Sequence, residues 1–330
     1  MTVIGTWNVE NLFKPQPASA FGPTSDAVYH AKLKGLSATI TAAGVDVLAL
    51  QEVGDPDALA ELADHLGNDW QHATSGIFDP RHPIRVGFLS RLRLAILTDR
   101  ATFPAQLGPI QAGDDGATAH QMGRGALAVR VTEPDGRTID LIAAHLKSKL
   151  LSFPPGPNGH SRFQTDDEGE RARVAAYALY RRTAEAVTVR ALADDLLDGQ
   201  GPARQVVVLG DFNDEPEAAT TQILLGPPGS ELGTPGADRR DRGDRTRLWN
   251  LAPRVPAGER FSRVFRGRGE LIDHVLVSHA LRKRAQDAHT LRPLNGTGLH
   301  DELPSVTEVP TKRRDDPASD HAMVFTRLSS

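Results

Sequence analysis

The chain contains no cysteine, which excludes disulfides and thiolate metal sites, so any metal must be held by oxygen or imidazole. That restriction favours hard cations: magnesium first, then manganese or calcium. No run of about 18 apolar residues exists to span a bilayer, and the opening "MTVIGTWNV" lacks the basic-then-apolar order of a secretion signal. The expectation is a cytoplasmic protein without a membrane partner. Basic excess is missing too: the formal net charge is -4, so no global field draws in polyanions, and any attraction to nucleic acid must be local. Aromatic residues make up only 5%, with Trp7, Trp70 and Trp249 scattered.

What remains is ample for a core. Of 330 residues 39% are hydrophobic, and 30 Gly and 23 Pro supply many turns. Length alone allows one domain or two, but neither a linker nor a repeat interrupts the chain. Eight short apolar runs read as strands: "TVIGTWNV", "VDVLALQEV", "IRVGFLSR", "GALAVRVTEP", "TIDLIAAHLKS", "RQVVVLGDFN", "LIDHVLVS" and "AMVFTRL". Pro-Asp-Gly between Glu133 and Arg137 marks a hairpin. A helix is expected over 170–198, with Tyr177, Tyr180, Ala184, Val187 and Ala191 on its apolar face and Gly199 as C-cap. Residues 150–169 and 226–247 read as long surface loops.

The placement of polar residues carries the functional argument. Asn8, Glu52, His145 with Lys147, and Asp211 with Asn213 all close apolar runs, whereas Asp273 opens one and Asp320 and His321 precede another. If the last two strands run antiparallel to the first four, all six ends meet at one rim. Glu52, Asp211, Asp273 and Asp320 gathered there would repel one another unless a cation joined them. Oxygens of Asn8, Glu52 and Asp320 suit magnesium. His145 and His321 add imidazoles, one of which Asp273 can orient. The set suggests attack of water on a phosphate ester.

Each piece has a plainer reading. Asp-x-Asn after a strand is commonly a turn, and acidic residues after "LQE" suit the first turn of a helix. Lys147, Lys149 and Arg124 can be surface charges, and His65, His160 and His300 read as surface residues. Two arginine runs, "RRDRGDRTR" at 239–247 and "RFSRVFRGRG" at 260–269, are either solvated loops or phosphate-binding segments.

In this order, "TWNVENLF", "LQEV", "AAHLKSK", "LGDFND", "IDHVLVS" and "SDHAMV" resemble the endonuclease/exonuclease/phosphatase superfamily, over residues 1–328. The resemblance implies a single α/β domain over 1–330, a four-layer sandwich of two mixed sheets face to face with helices outside. It also implies that Asn8 helps place metal and phosphate, and that Glu52 is the principal metal-binding glutamate. By the same likeness His145 stabilises the pentacoordinate phosphate or protonates the leaving oxygen. Asp211 and Asn213 position the attacking water, and Asp273 orients His321, with Asp320 beside it; the base is Asp211 or His321. The implied activity is that of a divalent-metal-dependent phosphodiesterase, with a nuclease acting on DNA or RNA as first reading. Arg124, Lys147 and the arginines of 260–268 would then contact the nucleic-acid backbone. A phosphatase of a small phosphoester, or a non-catalytic phosphate-binding module, is the alternative; no protein partner is inferable.

Overall fold

The computed structural model describes residues 1–16, 21–155, 162–294, 302–307 and 310–330. His160 and His300 lie outside them, and His65 is exposed. Two six-stranded mixed sheets dominate. In one the spatial order is His289–Leu291, Met323–Leu328, Thr2–Leu12, Val47–Val53, Arg85–Ser90, Gln71–Thr74; in the other it is Leu248–Asn250, Asp273–Ser278, Val206–Asp211, Thr138–His145, Gln121–Thr132, Arg93–Thr102.

Alternation along each strand makes the layers. Ile4, Val47, Phe88, Leu141, Val207, Leu209 and Val277 point inward and form the core between the sheets. Their neighbours Val3, Trp7, Leu48 and Leu50 point outward against Leu33, Leu36, Leu59 and Leu62 of the helices Asp26–Ala43 and Pro56–Leu66. On the far side Ala126, Ile142, Val206 and Val208 pack against Ala186, Val189 and Leu192 of the helix Glu168–Leu197. Both faces of each central strand are thus buried, which is why those strands read as near-continuous apolar runs. The result is a four-layer sandwich, and no helix among the described residues is long and apolar enough to cross a membrane.

All eight expected strands form, and Glu133–Arg137 closes a hairpin through Glu133 N–H to Arg137 O at 2.8 Å and Gly136 N–H to Glu133 O at 2.9 Å. The long helix differs in detail. Its cap is Asp198, left-handed at φ 49°, one residue before Gly199. Its buried face runs through Ala178, Arg182, Glu185, Val189, Ala193 and Leu197, while Tyr180 is 48% exposed. The cause is the buried pairs made by Arg182 and Glu185, which a search for apolar periodicity skips. The strand Arg93–Thr102 was also missed: it is an edge strand with little burial to impose a pattern.

Gly210 is fixed by close approach. Its φ is +152°, and a Cβ there would sit 1.8 Å from the Ala144 carbonyl oxygen of the neighbouring strand. Gly210→Ala should therefore cost about 3 kcal/mol or more, seen as a melting temperature lowered by more than about 5 °C; an unchanged melting curve would contradict this packing.

Candidate active site

Register does most of the assembly. Val206–Asp211 pairs in parallel with Thr138–His145, placing Asp211 opposite His145, and antiparallel with Asp273–Ser278, placing Asp211 opposite Asp273. The three residues form one row across the sheet. In the other sheet Thr2–Leu12 runs parallel to Val47–Val53 and antiparallel to Met323–Leu328. The last two polar-led strands thus have the reversed sense that brings all six ends to one rim.

Asn8 joins the sheets at that rim. Its Nδ2 donates to Glu52 Oε1 and to Asp211 Oδ2, each at 3.1 Å, while its Oδ1 accepts from Glu10 N–H at 3.0 Å. Just beyond it the strands fall out of register: pairing resumes at Leu12 and Val53, so Val9, Glu10 and Asn11 oppose Glu52 alone. In that bulge Glu52 Oε2 accepts from Asn11 N–H at 3.0 Å. Glu10 (φ 50°), Asn11 (58°), Glu52 (63°) and Asn213 (54°) are all left-handed. They are four of the six described non-glycine residues with positive φ, each costing about 1 kcal/mol or more, and all four border this rim.

Asp273, fully buried, accepts from His321 Nδ1 at 2.7 Å, which leaves Nε2 toward Asp320 Oδ1 at 3.9 Å. His145 Nε2 lies 3.4 Å from Asp211 Oδ2. Asn213 donates its backbone N–H to Asp211 Oδ1 at 2.9 Å and its amide to Leu146 O at 3.0 Å, so it steadies Asp211. Asp320 is placed by its N–H to Glu10 Oε2 at 3.0 Å, and Arg313 grips Glu10 with two bonds of 2.9 and 3.1 Å.

The charges follow from this crowding. Burial, then Asp273, pushes Asp211 up to about 7 against the opposing pull of His321 and Asn8. Burial, then Asp320, raises Glu10 to about 8. For His321 burial disfavours the charged ring, but Asp273, Asp320 and Asp211 outweigh it and lift the imidazole to about 10. Burial and the positive fields of Arg124, His321 and His82 hold His145 well below the ordinary histidine range.

A divalent cation fits this chemistry. Glu10 and Asp211 are pushed toward protonation by burial and then by a neighbouring carboxylate, and buried Asp273 Oδ1 has no hydrogen-bond partner among the described residues. One ligand atom each from Asp211, Asp273 and His321 lie within 4.8 Å of one another. Glu52 and Asp320 flank the same Asn8–Asn11 segment. Asn8 fixes Glu52 through its amide N–H, and its oxygen accepts from Glu10 N–H.

Arg124 Nη1 donates to Leu146 O at 3.2 Å, and its guanidinium lies in the fields of Glu185, Glu52 and Asp211. Lys147 turns its ammonium to Ser148 O and Leu150 O, and burial, then Arg124 and Arg181, lowers it to about 7. Several neighbours were not found from sequence: Glu10, Asn11, Arg313, Glu185 and His82, whose ring stacks on Phe21 at 4.4 Å and meets Asn11 Oδ1 at 3.2 Å. Glu10 and Asn11 adjoin "TWN" and were within reach, and Glu185 is a charge amid the apolar "AEAV". Nothing local marks His82 or Arg313.

A family model described as the Endonuclease/Exonuclease/phosphatase family matches residues 5–321. No curated protein matches the sequence. Among solved structures, a 3'-5' exonuclease (NExo) from Neisseria meningitidis is similar at TM-score 0.53 and 18% identity, covering 100% of both chains. TDP2 from C. elegans is similar at TM-score 0.55 and 13% identity, covering 99% of this chain and 75% of that one. A mannosyl-6-phosphatase from Bacteroides thetaiotaomicron gives TM-score 0.53 and 13% identity over 100% of both. At these identities the likeness is one of fold.

The His321–Asp273 pair has a pH signature. A raised imidazole pKa adds stability that is complete below the unfolded value near 6.5 and is lost as pH rises through about 10. In metal-free protein, NMR titration should place His321 near that upper limit, and Asp273→Asn should lower its midpoint by at least about one unit, or about 1.4 kcal/mol. An unmoved midpoint would mean Asp273 is not what holds the charge.

Proposed function

The chain belongs to the endonuclease/exonuclease/phosphatase family of hydrolytic phosphoesterases, and from that premise we propose that residues 1–330 act as one domain, a divalent-metal-dependent phosphodiesterase whose substrate is DNA or RNA. The observation that carries this reading is the meeting of Asp211, Asp273 and His321 within 4.8 Å at the rim that also holds Asn8, Glu52 and His145.

Glu52 and Asp320, with Asn8 fixing the former, would hold a hard cation, with magnesium the first expectation. When bound, such an ion supplies positive charge against the phosphoryl oxygens. The remaining work falls to the side chains. Asp211, ionising near 7, can take the proton of a water as its oxygen forms the new bond to phosphorus. Asn213 keeps that carboxylate aimed through its backbone N–H. His321, cationic and held by Asp273, can donate from Nε2 to a phosphoryl oxygen or return a proton to the leaving oxygen. His145, neutral beside Asp211, completes the wall, and Arg124 adds a fixed positive charge. Lys147 contributes through its backbone N–H to Glu185, 2.5 Å away, which holds the strand end.

A panel of metals against supercoiled DNA, RNA, a chromogenic diester and a monoester tests the reading. Diester cleavage should vanish with chelator, and His321→Ala or Asp211→Asn should each lower it roughly 10²–10⁴-fold. Full activity in both variants would reject the site. Turnover confined to a monoester, indifferent to salt, would point to a small-phosphoester phosphatase instead, because contacts to a polymer backbone weaken steeply with salt. No turnover on any substrate would leave a phosphate-binding module.

A further inference from the structure

The two arginine runs, equivalent on paper, occupy opposite ends of the same strand. Asp273–Ser278 begins at the catalytic row and ends about 17 Å away. The 239–247 run lies at the far end: Leu248 pairs with Ser278, Asp244 reaches His279 at 3.5 Å, and Asp238 reaches Arg282 at 3.0 Å. Its Arg247 is buried and paired with Asp241 and Asp244, which makes that run a structural clasp.

The second run lies beside the site. Ser262 Oγ accepts the N–H groups of Ile272 and Asp273, both at 3.1 Å, and Ser262 O accepts Ala322 N–H at 2.7 Å. Arg263 bridges His321 directly as an antiparallel pair, and such opposed residues send their side chains to the same face. From there the chain forms a hairpin, Arg263–Phe265 against Arg268–Glu270, through a two-residue turn with Arg266 at φ 48° and Gly267 at φ 78°. The parallel strand Ser305–Val306 braces it, Gly267 N–H reaching Ser305 Oγ at 2.8 Å.

Arg263, Phe265 and Arg268 share one face of this hairpin, since Phe265 pairs with Arg268 and lies two residues from Arg263. The Arg263 guanidinium rests 5.3 Å from the Phe265 ring centroid. Arg130, Arg182, Arg284 and Arg313 each reach a carboxylate, but among the described residues none pairs with Arg263 or Arg268. Glu270, opposite Arg263 in register, makes no ion pair with it. Arg260 is excluded from the surface role, because its guanidinium caps Pro253 O and Val255 O.

We propose that the hairpin 263–270 is a docking tongue for a polynucleotide, with Arg263 and Arg268 holding backbone phosphates that flank the scissile one. Unpaired guanidiniums on a rigid strand pair, facing the side of His321, complement a polymer of phosphodiesters and offer nothing to a small ester confined to the catalytic row. The inference rests on the phosphodiesterase reading of that row.

The test compares Arg263→Gln and Arg268→Ala, singly and together, with Arg242→Ala from the far run as control. Substrates are a labelled oligonucleotide over a salt series and bis(p-nitrophenyl) phosphate. The double variant should lose at least about tenfold in kcat/KM on the oligonucleotide, and its salt slope should fall by about 0.7–0.9 per arginine. Small-diester turnover should stay within about twofold, and Arg242→Ala should match wild type on both. Equal losses on both substrates, or an unchanged salt slope, would overturn the tongue while leaving the catalytic row intact. Wild type that turns over the small diester but no polynucleotide would overturn the nucleic-acid reading and the tongue with it.

Discussion

One amide holds the site together. Asn8 Nδ2 donates to Glu52 in one sheet and to Asp211 in the other, so a single side chain fixes how two independently hydrogen-bonded sheets meet at their shared edge. Apolar packing between the sheets is strong but undirected, and it would tolerate small slides of one layer on the other. A donor shared between two carboxylates does not, because displacement leaves a buried charged oxygen without its partner. The backbone bulge at Glu10 and Asn11 follows from the same requirement: the strand must break step for Glu52 to meet both the Asn8 amide and the Asn11 N–H.

Around that amide the molecule concentrates negative charge beyond what burial permits unaided. Glu10 meets Arg313 and Lys32, whose ammonium donates to the Glu10 carbonyl at 2.6 Å, yet burial and then Asp320 still raise it to about 8. Asp273 is answered by His321. Asp211 is answered only in part by His321 and Asn8, so burial and then Asp273 push its carboxyl up to about 7. Both carboxyls are raised, and geometry is what distinguishes them: Arg313 and the Asp320 N–H hold Glu10 at the edge, while Asp211 stands in the row beside His145 and Asp273. The left-handed residues at Glu10, Asn11, Glu52 and Asn213 are the backbone counterpart of that electrostatic strain, tolerated because both sheets overdetermine their positions.

The surface repeats the contrast on a larger scale. Most arginines are used to close loops or pair with acids, and the 239–247 run belongs to that economy through Arg247. Beside His321 the pattern lapses, and among the described residues Arg263 and Arg268, on a braced hairpin, have no ion-pair partner. A protein of net charge -4 thereby places local positive charge beside the rim that holds His321.

The sequence by itself determined the four inner strands of each sheet and which of their ends carry polar residues, because strand periodicity and the cost of polar residues near buried runs are local properties. Asn8, Glu52, His145, Asp211, Asn213, Asp273, Asp320 and His321 stand out on that ground, and the structure gathers them at one rim. Tertiary structure alone decided the row His145–Asp211–Asp273, since register depends on neighbours distant in sequence. It also brought in His82 and Arg313 from segments too short to carry a periodic pattern, and turned the helix Glu168–Leu197 so that Arg182 and Glu185 face inward. Two arginine runs of similar composition became a paired clasp and a hairpin beside His321 for the same reason: charge pairing is set by what folds against a residue, and composition carries no record of that.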